Sequence, residues 1–178
     1  MHRLHASSAG RILRFVVLVW VLAGASDLSS QVGEERAVLS AVQAMFDAME
    51  ARNGDALSAS MLPEGHFVAV RDGRSSWTGR DDFAARLKDA PRPFYERIWD
   101  PEIRIDGSVA SVWAPYDFYR GSEFSHCGTD AFLLARTPEG WKVSVVSYTV
   151  QQPPICDRHP EGPPLGVSGG WFLGSGSR

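Results

Sequence analysis

From residue 97 to residue 150, apolar and polar side chains alternate with a period of two, in four runs separated by turn signals. The runs cover 97–105, 109–119, 124–137 and 141–150. The turns are Asp106-Gly107, Gly121-Ser122 and Pro138-Glu139-Gly140. Strands joined this tightly must pair antiparallel, because a parallel connection needs a crossover of about a dozen residues or more. A four-stranded meander is therefore predicted for the second half of the chain, and the rest must cover one of its faces.

The first half supplies that cover. Val38, Val42, Met45, Phe46 and Met49 recur at three- and four-residue spacing and predict an amphipathic helix over 34–52. Asn53-Gly54 ends it, and Asp55 can cap a short helix running to Met61. Pro63-Glu64-Gly65 reads as a turn and 67–70 as a short strand closed by Arg71-Asp72-Gly73. A third helix is expected over 80–88, with Asp81 and Asp82 in its first turn and Pro91 and Pro93 beyond its end. Helices first and a curling meander second make the chain α+β.

Both ends differ from this middle. Residues 1–25 carry Arg3, Arg11 and Arg14, no acid, an apolar run over 15–23 and a small-residue site at Ala23-Gly24-Ala25. That order reads as a secretory signal peptide. The apolar run is far short of the roughly 20 residues a membrane-spanning helix needs; an uncleaved anchor is the alternative. Without this segment 15 basic and 21 acidic residues remain, so the net charge moves from −3 to −6. The acidic balance argues against a dedicated nucleic-acid binder, which usually shows a basic face, and no membrane contact is expected after cleavage. Residues 26–33 read as a linker, 34–150 as the single domain, and 151–178 as a flexible tail rich in Pro and Gly. In an oxidising compartment Cys127 and Cys156 are candidates for one disulfide, since Cys127 falls roughly opposite Gln151 and Pro153-Pro154 can turn the chain back.

Motifs for a nucleophile elbow, a dinucleotide, a phosphate loop or zinc are missing, and no cofactor or metal is expected. Chemistry must come from the sheet. If Gly121-Ser122 is a two-residue hairpin loop, Asp117 lies opposite His126 and Trp113 opposite Asp130. If Gly140 takes the left-handed position of the last turn, Asp130 lies opposite Tyr148. Opposed residues share a face, so this register gathers Trp113, Asp117, His126, Asp130, Phe132 and Tyr148. An Asp bonded to an imidazole makes it a better base, and a carboxyl in an apolar cup has a raised pKa. A satisfied structural network explains the same residues, since buried polar groups need partners whatever they do. Trp99 is a further candidate for the wall.

The order of elements resembles the nuclear transport factor 2-like (SnoaL-like) superfamily over roughly residues 34–150. The resemblance is carried by Ala37-Val-Leu-Ser-Ala-Val-Gln-Ala-Met-Phe-Asp-Ala-Met49 and Asn53-Gly-Asp-Ala56 in the helical part. In the sheet it is carried by Trp99-Asp-Pro-Glu-Ile-Arg-Ile-Asp-Gly107, Ala110-Ser-Val-Trp-Ala-Pro-Tyr-Asp-Phe-Tyr119, Ser125-His-Cys-Gly128 and Gly140-Trp-Lys-Val143. It implies a curved antiparallel sheet wrapped around helices as a cone with an internal pocket. It also implies members that are isomerases, cyclases or dehydratases, members with no known reaction, and frequent pairing as homodimers.

Three readings of function follow. The first is an exported binding module holding a small apolar or aromatic molecule, with Trp99, Trp113, Phe132 and Tyr148 as wall and Asp117, His126 and Asp130 as polar anchors. The second is an enzyme using Asp117, His126 and Asp130 for acid–base chemistry beside a carbonyl. The third is a homodimeric interaction domain using the outer face of the sheet.

Overall fold

The computed structural model describes residues 9–164, with side chains from Ser30 onward. The signal segment expected over 1–25 and the end of the tail lie outside the residues whose side chains are described. The chain divides at Arg36/Ala37, and the sheet, the core and the site below belong wholly to the second unit.

The first helix, α1 (Ala9–Glu50), starts well before residue 34, so the backbone over 26–33 is helical where the sequence reading placed a linker. It ends in a Schellman turn: Arg52 takes a left-handed φ of 52°, and the Asn53 N–H reaches the Ala48 carbonyl. Asn53, not Asp55, caps α2 (Gly54–Ser60), its side chain accepting from the Ala56 N–H. A hairpin follows, β1 (Met61–Arg71) and β2 (Arg74–Gly79), turned by Asp72-Gly73 with both residues at positive φ. The β2 strand was not expected. Neither was the early start of β1, which absorbs Pro63-Glu64-Gly65 at a register shift between Met61 and His66.

After α3 (Arg80–Lys88) come β3 (Phe94–Ile98), β4 (Glu102–Asp106), β5 (Val109–Arg120), β6 (Glu123–Thr137) and β7 (Gly140–Thr149). The expected first run is split in two at Asp100, whose φ of 46° precedes Pro101, and both halves pair antiparallel with β5. The order is β2-β1-β7-β6-β5-β3, an unclosed sheet with β4 also on β5. It is mixed and not purely antiparallel, because β1 runs parallel to β7. The cover between those two strands is the whole middle of the chain, ample length for a parallel connection.

Val38, Val42, Met45, Phe46 and Met49 of α1 are buried against Val112, Phe132, Leu134, Val143 and Val146 of the sheet. This helix fills one part of the sheet's concave face. The part it leaves uncovered, toward the start of β3 and the ends of β5 and β7, is where the polar residues collect.

Candidate functional site

Alternation places the side chains. On β3, Phe94, Glu96 and Ile98 share the concave face, opposite Arg120, Phe118 and Tyr116 of β5. Phe118 in turn pairs with His126 of β6, and Asp130 of β6 sits between Ala114 and Tyr148. A cavity of about 370 Å3 opens over this face. Met49, Phe67, Phe83, Phe94, Phe118 and Val146 form its apolar wall, and Glu96, His126, Tyr148, Ser76, Thr78, Arg86 and Arg120 its polar part. A pocket of this size with an apolar wall and a few convergent polar groups suits a small ligand.

Glu96 and Asp130 form a carboxyl pair. Asp130 is fully buried, and neither of its oxygens meets a hydrogen-bond donor from any other described group. Its partner is the Glu96 carboxyl, and two carboxyl groups bond only when one of them keeps a proton. Burial, and then the charge on Glu96, push Asp130 well above the ordinary range, so Asp130 holds that proton. Glu96 is itself raised from 4.5 to about 7, by burial first, with the hydrogen bond from Asp130 pulling it back and the Asp117 charge adding to the rise. Only Glu96 of the two borders the cavity. Near neutral pH the pair therefore exchanges a proton at the carboxyl that a ligand can reach.

The neighbours are neutral. His126 is lowered to about 4, by burial first and then by the charges of Arg71 and Arg120, so its imidazole is uncharged at pH 7. Its ring lies 4.8 Å from Phe118 and 5.7 Å from Tyr116, and its Nδ1 shares a 2.9 Å hydrogen bond with Ser125 Oγ. Tyr148 is pushed up to about 12, by burial and then by Glu96 and Asp130, so it stays a hydroxyl donor. Tyr116 donates to the Thr149 carbonyl at 2.7 Å, and burial holds its proton more firmly still.

A family model described as "Putative lumazine-binding" matches residues 33–149. The chain belongs to this family. Its fold is that of the nuclear transport factor 2-like superfamily, as solved structures show. One is a protein of this type with a cystatin-like fold from Novosphingobium aromaticivorans, at 13% identity over 72% of this chain and 89% of that one, TM-score 0.58. Another is a "putative dehydratase" from Streptomyces avermitilis, at 17% identity over 66% and 96%, TM-score 0.53. A third, of unknown function, comes from Mycobacterium tuberculosis, at 15% identity over 76% and 79%, TM-score 0.59. At these identities the likeness establishes the fold alone. No curated protein matches the chain.

The residues singled out from sequence fall in three places. His126 and Tyr148 line the cavity, and Asp130 lies behind it. Phe132 belongs to the core, edge-on to Phe46 of α1 at 5.9 Å. Asp117, Trp99 and Trp113 are on the convex face, which corrects their expected places in the pocket. Asp117 pairs with Cys127, and His126 with Phe118. An extra residue in β6 shifts the register between Phe118 and Tyr119, and a shift of one residue turns a side chain to the other face. The expected Asp117–His126 hydrogen bond does not exist.

Asp117 has a different duty. It is fully buried, accepts two hydrogen bonds from Arg97 at 2.7 and 3.1 Å, and accepts the His159 N–H at 3.1 Å. Arg97 also donates to the Gly162 carbonyl, Trp99 stands edge-on to His159, and the Cys127–Cys156 disulfide expected from sequence closes the arrangement. The beginning of the tail is thus strapped over the convex face, more ordered than its composition implies. Trp113 stays 57% exposed beside Val109 and Leu133.

Glu96 was missed because the first run was begun at Arg97. The signal was present: Phe94-Tyr95-Glu96-Arg97-Ile98 alternates directly after Pro93, with an acid between two apolar residues on the inward face.

Proposed function

We propose that this chain is an exported binding domain whose cone takes a small, flat, largely apolar molecule and reads its polar edge with Glu96, His126 and Tyr148. The observation that carries the reading is the cavity of about 370 Å3, with four phenyl rings in its wall and these three groups at its polar side. The family description points to a pteridine such as lumazine, a flat heteroaromatic with N–H donors and carbonyl acceptors. Glu96 can accept from such an edge when ionised, and Tyr148 can donate to it. Export is supported by the Cys127–Cys156 bond, since disulfides persist in oxidising compartments. No helix among the described residues is long and apolar enough to cross a membrane.

Titration of the protein with lumazine, followed by ligand fluorescence, tests the reading. Saturable binding that weakens in Glu96→Ala and in Phe118→Ala supports it. Failure of lumazine and of the simpler flat ring 2-naphthol to bind at all removes it.

One observation favours acid–base catalysis as a second reading. Glu96 titrates near neutral pH beside a carboxyl that keeps its proton, the condition for a general base. Exchange of an α-hydrogen of a cyclic ketone with deuterated solvent, abolished by Glu96→Gln, supports that reading. The homodimer reading rests on the exposed Val109, Trp113 and Leu133 of the convex face, and sedimentation of Trp113→Glu against the parent decides it.

A further inference from the structure

The mouth of the cone carries a charge that the cavity wall does not explain. An adjoining opening of about 590 Å3 shares Ser76, Arg120, His126 and Tyr148 with the inner cavity and adds Arg71, Arg74 and Ser75, with Asp72 as the one acid in its lining. Among the described residues, none of these three arginines forms an ion pair with a carboxylate. Arg120 only leans over the Phe94 ring at 6.0 Å.

Their arrangement works against the fold. Arg71 and Arg74 stand directly opposite each other across the β1–β2 hairpin. Like charges at opposed positions destabilise a hairpin. Arg120 faces the same opening from β5, in a chain whose net charge is −3. Three guanidinium groups converging on one opening of an acidic protein make a local positive field that draws anions. Guanidinium is also the group best shaped to grip a carboxylate or a phosphate through two parallel bonds. The hydroxyls of Ser75 and Ser76 add donors at the same place.

We propose that the occupant of the cone is an anion: a flat ring in the apolar cavity, bearing a phosphate or carboxylate group that Arg71, Arg74 and Arg120 bind at the mouth. This rests on the binding reading above and narrows it to a ligand class. The ring enters toward Phe118 and Glu96, and the anionic end stays at the wet opening, where a charge keeps part of its hydration.

Calorimetric titration of the full chain with 2-naphthol, 2-naphthoate and 2-naphthyl phosphate tests the proposal, because the three share a ring and differ in the end group. The expected result is that at least one anion binds more tightly than the neutral naphthol by about tenfold or more. Raising the salt concentration should shrink that advantage, and which anion leads separates a phosphate from a carboxylate ligand. Arg71→Gln and Arg74→Gln, which lie at the mouth and outside the inner cavity, should each bring the preferred anion toward the affinity of naphthol and leave naphthol itself unchanged. Thermal melts of both variants should be no lower than the parent's, since each removes a repulsive charge, so a loss of affinity is not a loss of fold. Equal affinity for all three compounds overturns the anion proposal and leaves the binding reading standing. No binding by any of them overturns both. Loss of anion binding in Trp113→Ala, on the convex face, shows that the ring sits outside the cone and overturns the proposal as well.

Discussion

Glu96→Gln isolates the proton on the buried pair. The folded protein holds the Glu96 proton up to about pH 7, whereas an unfolded chain releases it near the ordinary 4.5. A pKa raised by folding contributes stability that is complete below the unfolded value and is lost as pH rises toward the folded one. The span from 4.5 to about 7, at roughly 1.4 kcal/mol per unit, corresponds to about 3 kcal/mol. Glutamine is close to the shape of a protonated glutamate, cannot ionise, and can still accept the hydrogen bond from Asp130 through its carbonyl. Asp130 is raised by burial in both proteins, while the part of its rise that comes from the Glu96 charge is absent in the variant and moves the difference in the same direction. The variant should therefore match the parent, or fall slightly below it, near pH 4. It should then gain on the parent through the window from about 4.5 to about 7, ending up to about 3 kcal/mol more stable near pH 8. Urea unfolding followed by tryptophan fluorescence at half-unit pH steps measures the difference directly, with the buried Trp141 among the reporters. A difference that stays flat from pH 4 to pH 8 would refute the shared-proton pair, and one that falls as pH rises would reverse its sign.

Asp117→Ala should destabilise the fold by about 3 kcal/mol, since it leaves Arg97 and the His159 N–H without their acceptor, and should speed hydrogen exchange in the strap over 156–162. The same variant should leave the titration of His126, read by NMR, where it was, because the two side chains are on opposite faces. Gly128→Ala should cost about 1–3 kcal/mol in thermal or urea unfolding, since a Cβ there meets the Thr149 carbonyl, which is fixed by the sheet. Reduction of the disulfide opens a link between residues 29 apart and should lower stability by about 3–4 kcal/mol in the chain-entropy account, measured by unfolding with and without reductant.

Local signals in the sequence carried most of the fold. The helical stripe of Val38, Val42, Met45, Phe46 and Met49 is buried as its period requires, and the three turns of the meander, at 107–108, 121–122 and 138–139, lie within a residue of the expected positions. What local signals do not carry is long-range pairing and backbone irregularity. The parallel β1–β7 ladder joins residues some 80 positions apart by their register, as in Phe67 with Val146, and no turn announces it. The β2 strand was hidden because Arg74-Ser75-Ser76 has no apolar alternation, a consequence of its place at the sheet edge and the cavity mouth.

The two hairpins beside the site show why register was the weakest step. Gly121-Ser122 does form a two-residue loop, and Tyr119 does face Phe124 as the turn implies. One irregularity immediately beyond it then shifts every later β5–β6 pair, putting Asp117 on the face away from His126 and Asp130, where it holds the tail. The regular β3–β5 pairing sets Glu96 opposite Phe118 on the inner face. In the next hairpin Thr137 pairs with Gly140, a tighter loop than Gly140's left-handed role suggested, but a second shift between Leu133 and Leu134 restores the offset. Asp130 consequently faces Tyr148, the pair expected, through two departures that cancel. A β-bulge inserts a residue without any strong compositional mark, and each one reassigns a whole strand between core and solvent. The polar residues that the alternation brings inward are therefore decided by bulges more than by composition. Here the outcome is that Glu96, and not the expected Asp117, joins Asp130 on the inner face.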